Sequence, residues 1–193
     1  VPIQPRRVGI AGAGAIALAS AAWLRHAGHE VSLWSARGHG ADALRNAPLQ
    51  ANGILNGSWP VDVADTPESL CGRTDVLLIA LPVNAHKSAM DQLLPHFRDG
   101  QIVIVSSMCS LSSLYLYERA HQAGRRITVA SFGTTVLTAR RDSATSVRIM
   151  TRRASIGVSV LPVTEVRAMV DLCTALFGAG FESQPHALAS ALT

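Results

Sequence analysis

The sequence is poor in the features that mark secreted, metal-binding and membrane proteins. Its 193 residues include three cysteines, an odd number with no Cys-x-x-Cys spacing, at Cys71, Cys109 and Cys173. That pattern does not provide a disulfide framework or a zinc site, so we expect a reducing, cytoplasmic location. The longest apolar stretches, residues 11–22 and 76–83, fall short of the roughly 18 residues that span a bilayer. No cleavable apolar segment follows the amino terminus, so we expect neither a membrane protein nor a secreted one.

Lysine and aromatic residues are also scarce. Lys87 is the only lysine beside sixteen arginines, and the net charge is +4. The chain has nine aromatic residues, none of them in the arginine-rich stretch over residues 140–153. Nucleic-acid binding combines a basic stripe with aromatic platforms, so we expect no nucleic-acid partner. Charged residues make up only 16% and hydrophobic residues 48%, so the chain can bury a sizeable core.

Strand-like apolar runs alternate with helix-like segments over the first two thirds of the chain. Such alternation is typical of βαβ crossovers in a parallel sheet, and three β-prone runs without helices between them follow. We therefore predict an α/β fold, a Rossmann-type doubly wound, mostly parallel sheet with appended antiparallel strands. The predicted strands are residues 7–11, 31–34, 61–63, 76–81, 101–105 and 127–131, then the appended runs 135–138, 147–151 and 155–160, and finally 181–184; the predicted helices are residues 13–27, 41–46, 84–94, 112–123 and 164–177.

The junction of the first strand and the first helix is the most informative segment. Gly12, Gly14 and Ala17 form a Gly-x-Gly-x-x-Ala pattern there, with a second strand about 20 residues further on. Gly12 permits the tight turn, Gly14 lets the backbone approach a diphosphate, and Ala17 lets helix and strand pack closely. The helix start, with Ala15 and Ile16, presents free N–H groups to the phosphates. The pattern predicts a dinucleotide-binding site.

The end of the second strand indicates which dinucleotide is bound. A site for NAD usually has a carboxylate there, which accepts hydrogen bonds from the ribose 2′-hydroxyl. Here the first acidic residue is Asp42, whereas Ser35 and Arg37 offer a hydroxyl and a guanidinium for a 2′-phosphate. We therefore predict NADP as the cofactor, with NAD less favoured. Leu81, Pro82 and Val83 follow the clearest strand and are predicted to line the adenosine or ribose side.

Several segments resemble β-hydroxyacid-type dehydrogenases. Residues 36–45 (ARGHGADALR) look like the cofactor loop of ketopantoate reductases, which use NADPH. Residues 74–86 (TDVLLIALPVNAH) resemble the fourth strand and following helix of the octopine/nopaline (opine) dehydrogenases. Residues 134–141 (TTVLTARR) and the stretch over 147–162 are similar to the extra antiparallel strands of that family. Residues 106–110 (SSMCS) depart from its Asn-Pro-Gly-type loop.

The resemblance implies an NADP-dependent oxidoreductase that reduces the imine of an amino acid and a 2-oxo acid, or a related 2-keto acid. The alternatives are a ketopantoate-reductase-like 2-keto acid reductase and a non-catalytic NADP(H)-sensing module. It also implies a cofactor domain over residues 1–184, with residues 185–193 beginning a helical domain that is truncated or absent. The catalytic residues would then lie beyond residue 193. Small-molecule substrates and a homodimer are the implied partners.

The remaining polar candidates are predicted to be structural. His86 follows the fourth long strand and is interpreted as a surface residue in the first turn of a helix. Cys109 has no neighbouring cation that would lower the pKa of its thiol. Arg140 and Arg141 are interpreted as a solvated basic face, although they could meet a carboxylate substrate. We assign no catalytic residue within the chain and expect no metal site.

Overall fold

A computed structural model describes residues 4–107, 111–187 and 189. Its main sheet has eight strands in the order β12–β11–β8–β7–β6–β1–β2–β5, and it is parallel except where β11 runs against β8. The strands are β1 (Arg7–Ala11), β2 (Glu30–Trp34), β3 (Leu49–Gly53), β4 (Gly57–Trp59), β5 (Asp62–Val63), β6 (Val76–Ile79), β7 (Ile102–Val105), β8 (Thr128–Phe132), β9 (Leu137–Arg141), β10 (Ser146–Arg152), β11 (Ser155–Leu161) and β12 (Gly180–Ser183). The α-helices are α1 (Ala15–His26), α2 (Pro67–Arg73), α3 (Val83–Leu93), α4 (Ser112–Gln122) and α5 (Val166–Phe177).

The central strands are apolar along their whole length because both faces of the sheet are covered. Strand β6 reads VLLI and all four residues are buried, while β7 reads IVIV with only its first residue partly exposed. Helices α2, α3 and α4 pack on one face of the sheet, and α1 and α5 pack on the other. Parallel strands covered on both faces are expected to lack polar alternation. The predicted α/β, Rossmann-type, mostly parallel sheet is confirmed.

A second sheet covers the outer side of α1. Its strand order is β4–β3–β10–β9, in which β10 pairs parallel with β3 and antiparallel with β9. The appended run predicted at residues 147–151 is strand β10, whereas the run predicted at 135–138 begins two residues later, as β9 at Leu137–Arg141; the two strands are neighbours, but they belong to this sheet. The run predicted at 155–160 instead extends the main sheet beside β8. Strands β3 and β4, which complete the second sheet, were not predicted.

Helix α1 is held between the two sheets. Its middle turns are almost entirely buried, and Ala17, Ala19, Ala21 and Ala22 are each 0% exposed. Alanine on several faces lets both sheets approach the helix axis closely, since a larger side chain would separate the layers. The helix that begins at the glycine turn is therefore an interior element of the fold.

Two further predictions concern the carboxy-terminal segment and helices that could cross a membrane. The helix predicted over residues 185–193 falls mostly outside the described residues, so the predicted domain boundary stays a prediction. Within the described ranges, no helix is both long and apolar enough to cross a membrane.

Candidate cofactor-binding site

The turn after β1 is shaped by Gly12. Its φ angle is +142°, and its N–H donates a hydrogen bond of 2.8 Å to the carbonyl oxygen of Trp34 on β2. A Cβ at this position would lie closer than 3.0 Å to the carbonyl oxygen of Ala80 and would press on the Cβ of Ala17. Only glycine satisfies both the angle and the space. The turn is thereby held against the strands on either side of β1.

Gly14 is free of such packing and opens helix α1. Its φ and ψ angles are −81° and −177°, no side chain caps the helix, and no acidic residue lies in the first turn. The first amide bonded back into the helix is that of Leu18, which donates to the Gly14 carbonyl at 3.0 Å. A Cβ on Gly14 would meet nothing within 4 Å. The free N–H groups of the first turn and the open space at Gly14 together fit a diphosphate.

A cleft of about 510 Å³ lies beside this turn, at the carboxyl edge of the parallel strands. It brings together five of the predicted site residues, Gly14, Ser35, Arg37, Leu81 and Pro82. Open α/β sheets bind ligands at this edge. The remaining lining residues are Ala13, Ala36, His39, Gly40, Asn84, Ala85, Ser88 and Arg141.

The other predicted site residues lie around the cleft but do not line it. Ala17 is buried beneath the turn, and Ala15 and Ile16 are half-buried at the helix start. Val83 is the first residue of α3, is 45% exposed and lines a neighbouring cavity of about 330 Å³. A cavity of about 650 Å³ beside Thr128, the first residue of β8, lies at the opposite edge of the sheet from the turn.

The cleft carries positive charge. Its lining residues include two arginines and no carboxylate, as far as the described residues extend. The nearest acid in the β2 loop, Asp42, hydrogen-bonds His39 Nδ1 at 2.9 Å. That hydrogen bond is the largest cause that lowers the pKa of the Asp42 carboxyl. Arg37 is exposed and lines the cleft, and none of the described residues that line the cleft is acidic. This arrangement suits an anionic ligand.

Arg141 reaches the cleft from β9 and makes four hydrogen bonds to main-chain carbonyls. Its Nη1 donates to the Ala13 oxygen at 2.7 Å, and its Nη2 donates to the Gly40 oxygen at 3.1 Å. The other two bonds go to its own hairpin, at residues 143 and 144. Arg140 and Arg141 are both exposed, as a solvated basic face requires, but Arg141 in addition bonds main-chain carbonyls of two distant loops, which the sequence did not predict. The sequence signal was a basic residue on a strand, which does not reveal a partner so distant in the chain.

His86 is a buried connector at the edge of the cleft. It is 3% exposed, so its interpretation as a surface residue is wrong. One ring nitrogen, Nε2, lies 2.9 Å from the Leu81 carbonyl oxygen, and the other, Nδ1, lies 2.9 Å from the Ser112 hydroxyl. A carbonyl only accepts, so Nε2 carries the proton and the neutral ring accepts from Ser112 at Nδ1. Burial lowers the pKa of His86, and the ring fixes the loop after β6 to the start of α4.

We expect the free energy of unfolding to fall as the pH drops from 7 to 5. Burial lowers the pKa of both His86 and His29 from an ordinary value of 6.5, so the unfolded chain binds more protons below that pH. The contribution of these two rings to the free energy of unfolding is fully present well above pH 6.5 and is lost progressively as the pH falls below that value. Denaturant unfolding across this range measures the loss. The pKa values of the Asp75 and Asp91 carboxyls are lowered from 3.8, so these groups change the free energy of unfolding only in more acidic solution.

His86→Gln is the matched variant for this experiment. Glutamine can donate to Leu81 and accept from Ser112 but does not titrate, so the variant retains only the pH dependence that comes from His29. A slope equal to that of the wild type would contradict the assignment of His86 as a buried neutral ring.

The remaining polar candidates contribute no chemistry in the structure. Burial raises the pKa of Cys71 and of Cys173 to about 12, so neither thiol is reactive at neutral pH. Cys109 lies outside the described residues. Among the described residues, no group of three His, Cys, Asp or Glu side chains could hold a metal ion.

The sequence and the fold both match known dehydrogenases. A model of the family described as Ketopantoate reductase PanE/ApbA matches residues 8–161. D-nopaline dehydrogenase of Agrobacterium vitis is 25% identical over 166 residues, which cover 82% of this chain and 39% of that protein. Glycerol-3-phosphate dehydrogenase [NAD(P)+] 2 of Lactobacillus delbrueckii subsp. bulgaricus is 33% identical over 100 residues, 51% of this chain and 29% of that one.

Solved structures of opine dehydrogenases share the fold. Octopine dehydrogenase with NADH and pyruvate superposes with a TM-score of 0.83 at 16% identity, covering 97% of this chain and 52% of that one. Yersinopine dehydrogenase with NADP+ bound gives a TM-score of 0.76 at 17% identity, covering 97% and 49%. The predicted resemblance to both dehydrogenase groups is confirmed. The chain spans about half the length of these structures and less of the two curated relatives.

Proposed function

Because this chain belongs to the ketopantoate reductase PanE/ApbA family and forms an NAD(P)-binding domain, we propose that it binds NADPH in the cleft beside Gly14. The observation that supports NADPH is the cleft's charge: Ser35 and Arg37 line it after β2, and no carboxylate does among the described residues. A 2′-phosphate would meet a guanidinium and a hydroxyl there, and no acid would repel it.

Each part of the cleft has a role in this proposal. The amides that begin α1 bind the diphosphate, and Gly14 leaves room for it. Ser35 and Arg37 bind the 2′-phosphate, while Leu81 and Pro82 line the adenosine or ribose side. When bound, the cofactor supplies a hydride to the substrate. The buried His86 ring fixes the loop after β6, which positions Leu81 against the cofactor.

We propose that the full-length protein is an oxidoreductase of opine-dehydrogenase type. Its substrate would be the imine of an amino acid and a 2-oxo acid, or a related 2-keto acid. The similarity to D-nopaline dehydrogenase over 82% of this chain supports this reading. We further propose that residues 185–193 begin a helical domain and that the proton donor for the reaction belongs to that domain. A homodimer through the same domain is part of this proposal.

A second candidate is a 2-keto acid reductase of ketopantoate-reductase type. The family match over residues 8–161 favours it specifically. Oxidation of NADPH by the full-length protein, with an amino acid plus pyruvate in one assay and ketopantoate in the other, separates the two. Turnover only with the amino acid and pyruvate supports the opine reading. Tight NADPH binding without turnover in either assay would instead support a nucleotide-sensing module.

Arg37→Ala is expected to weaken NADPH binding by about 10- to 50-fold and to leave NADH binding within about twofold, because only NADPH has the phosphate that Arg37 would meet. Isothermal titration with both dinucleotides measures this. Arg167→Ala, on an exposed position of α5 outside the cleft, is the matched control for loss of one positive charge. Tighter binding of NADH than of NADPH by the wild type, or equal losses for both, would refute the NADPH assignment.

A further inference from the structure

Arg141 joins three segments that meet at the cleft. Its guanidinium bonds the carbonyl of Ala13, 128 residues earlier in the chain, and that of Gly40, 101 residues earlier. It also bonds the carbonyls of Ser143 and Ala144 in the turn after its own strand, at 2.8 and 3.1 Å. The first two carbonyls belong to the glycine turn and to the end of the β2 loop. One side chain of the second sheet thus holds both loops of the cleft.

The two loops are also in direct contact beneath this guanidinium. A Cβ on Gly40 would lie 2.9 Å from the Cβ of Ala13 and 2.8 Å from the hydroxyl oxygen of Ser35. Gly40 therefore packs against both the phosphate-binding turn and the start of the β2 loop. A shift of either loop would open this contact and break a hydrogen bond to Arg141. The separation of the turn from the loop is set by this packing and by the fork of Arg141.

The charge of Arg141 also suits the ligand. Carbonyl oxygens at Ala13 and Gly40 present partial negative charge at the cleft, which would repel a phosphate. The guanidinium neutralises them, and one of its five N–H groups, on Nη1, has no acceptor among the described residues. Arg141 itself lines the cleft, where the described lining includes no carboxylate to cancel its charge.

We infer that Arg141 is a positioning residue for the dinucleotide. It holds the turn at Ala13 and the loop at Gly40 in the arrangement that receives the diphosphate, the part that NADH and NADPH share. Affinity for both dinucleotides therefore depends on Arg141, whereas selection between them depends on Arg37. This inference rests on the proposed function in one respect, namely that the cleft holds a dinucleotide.

The test compares Arg141→Met with Arg140→Met in the full chain. Arg140 is the preceding residue of β9, and the bonds to Ala13 and Gly40 come from Arg141, so replacing Arg140 removes the same charge and leaves the two loop contacts in place. Binding of NADPH and of NADH is measured by titration well below the melting temperature, and thermal unfolding is recorded for each variant. We expect Arg141→Met to bind both dinucleotides about 10-fold or more weakly, and Arg140→Met to stay within about twofold of the wild type.

Arg141→Lys separates positioning from charge. A lysine restores the positive charge but has no planar fork that can bond several carbonyls at once, so it should bind nearly as weakly as the methionine variant. Restoration of wild-type affinity by lysine would overturn the inference, because charge alone would then suffice. Lysine also keeps the long side chain, so this variant decides the question if Arg141→Met does not fold.

The remaining outcomes are also decisive. A lowered melting temperature with unchanged affinity would show that Arg141 only stabilises the fold, and the inference fails. Equal losses in Arg140→Met and Arg141→Met would reduce its role to net charge. If the wild type binds both dinucleotides and Arg141→Met matches it, the inference fails while the proposed function stands. If the wild type binds neither, the proposed function fails first.

Discussion

Gly14→Asp should reduce NADPH affinity by about 100-fold or more while leaving the melting temperature unchanged or slightly raised. The backbone at Gly14 already has the extended geometry of a helix N-cap, with φ −81° and ψ −177°, and no side chain caps α1. An aspartate there can accept hydrogen bonds from the amides that open the helix, and its charge favours the helix dipole. The same carboxylate occupies the diphosphate position and repels it. Stability and binding should thus change in opposite directions.

Gly14→Ala is the matched control for this experiment. A methyl group at this position meets nothing within 4 Å, so the fold accepts it, and it adds bulk in the cleft without charge. We expect a smaller loss of affinity than with aspartate, together with a melting temperature close to that of the wild type. Differential scanning fluorimetry and titration with NADPH give both quantities from the same preparation. Wild-type affinity in Gly14→Asp would place the diphosphate elsewhere.

Gly12→Ala should lower the melting temperature by about 10 °C, corresponding to about 4 kcal/mol for a domain of this size. The added Cβ lies closer than 3.0 Å to the carbonyl oxygen of Ala80, which is backbone and cannot swing aside. The φ angle of +142° adds strain that alanine does not relieve. Relief of the clash requires the turn to move away from the end of β6. Thermal unfolding monitored by circular dichroism measures the loss.

Gly124→Ala is the control for backbone strain alone. Gly124 has φ +71°, and a Cβ there meets nothing within 4 Å, so only the left-handed conformation opposes alanine. We expect the free energy of unfolding to fall by about 1 kcal/mol and the melting temperature to fall by about 3 °C. Similar losses in both variants would mean that the contact with Ala80 contributes nothing beyond the strained angle.

The parts of the fold that follow from local sequence could be predicted well. The first strand was predicted at residues 7–11 and spans Arg7–Ala11, because an apolar run that ends at a glycine turn has few alternatives. The helix after the turn was predicted two residues too early, since the turn itself uses Ala13 and Gly14. Strands that are buried on both faces could be predicted equally well, because their continuous apolar runs do not show the 3.6-residue periodicity of an amphipathic helix.

The second sheet could not be predicted, because its strands depend on distant partners. Strand β3 reads LQANG and has none of the β-branched or aromatic residues that mark strands. It becomes a strand through parallel pairing with β10, almost a hundred positions later. Helix α2 had a readable signal that was missed: Thr66 caps it by accepting a hydrogen bond from the Ser69 amide, and Pro67 begins it.

The candidate site likewise has one part that the local sequence predicts and another part that depends on tertiary contacts. The glycine pattern predicted the phosphate-binding turn, and the residues predicted after β2 and after β6 line the same cleft as this turn. The roles of Arg141 and His86 could not be predicted from the sequence, because these roles depend on tertiary contacts. A strand arginine and a first-turn histidine are ordinary surface residues until the fold brings the Ala13 and Leu81 carbonyls to them.

The bond between Arg141 and Ala13 has a consequence for the order in which a ribosome produces this cleft. A nascent chain contains the glycine turn, α1 and every strand up to β8 before residue 141 has been polymerised. During that interval the outer side of α1 lacks β9 and β10, and β3 lacks β10, the strand with which it pairs in parallel. Apolar surface and strand edges that are exposed before folding is complete make a chain prone to aggregation. The glycine turn and α1 are therefore translated well before β9 and β10, the strands that complete their cover.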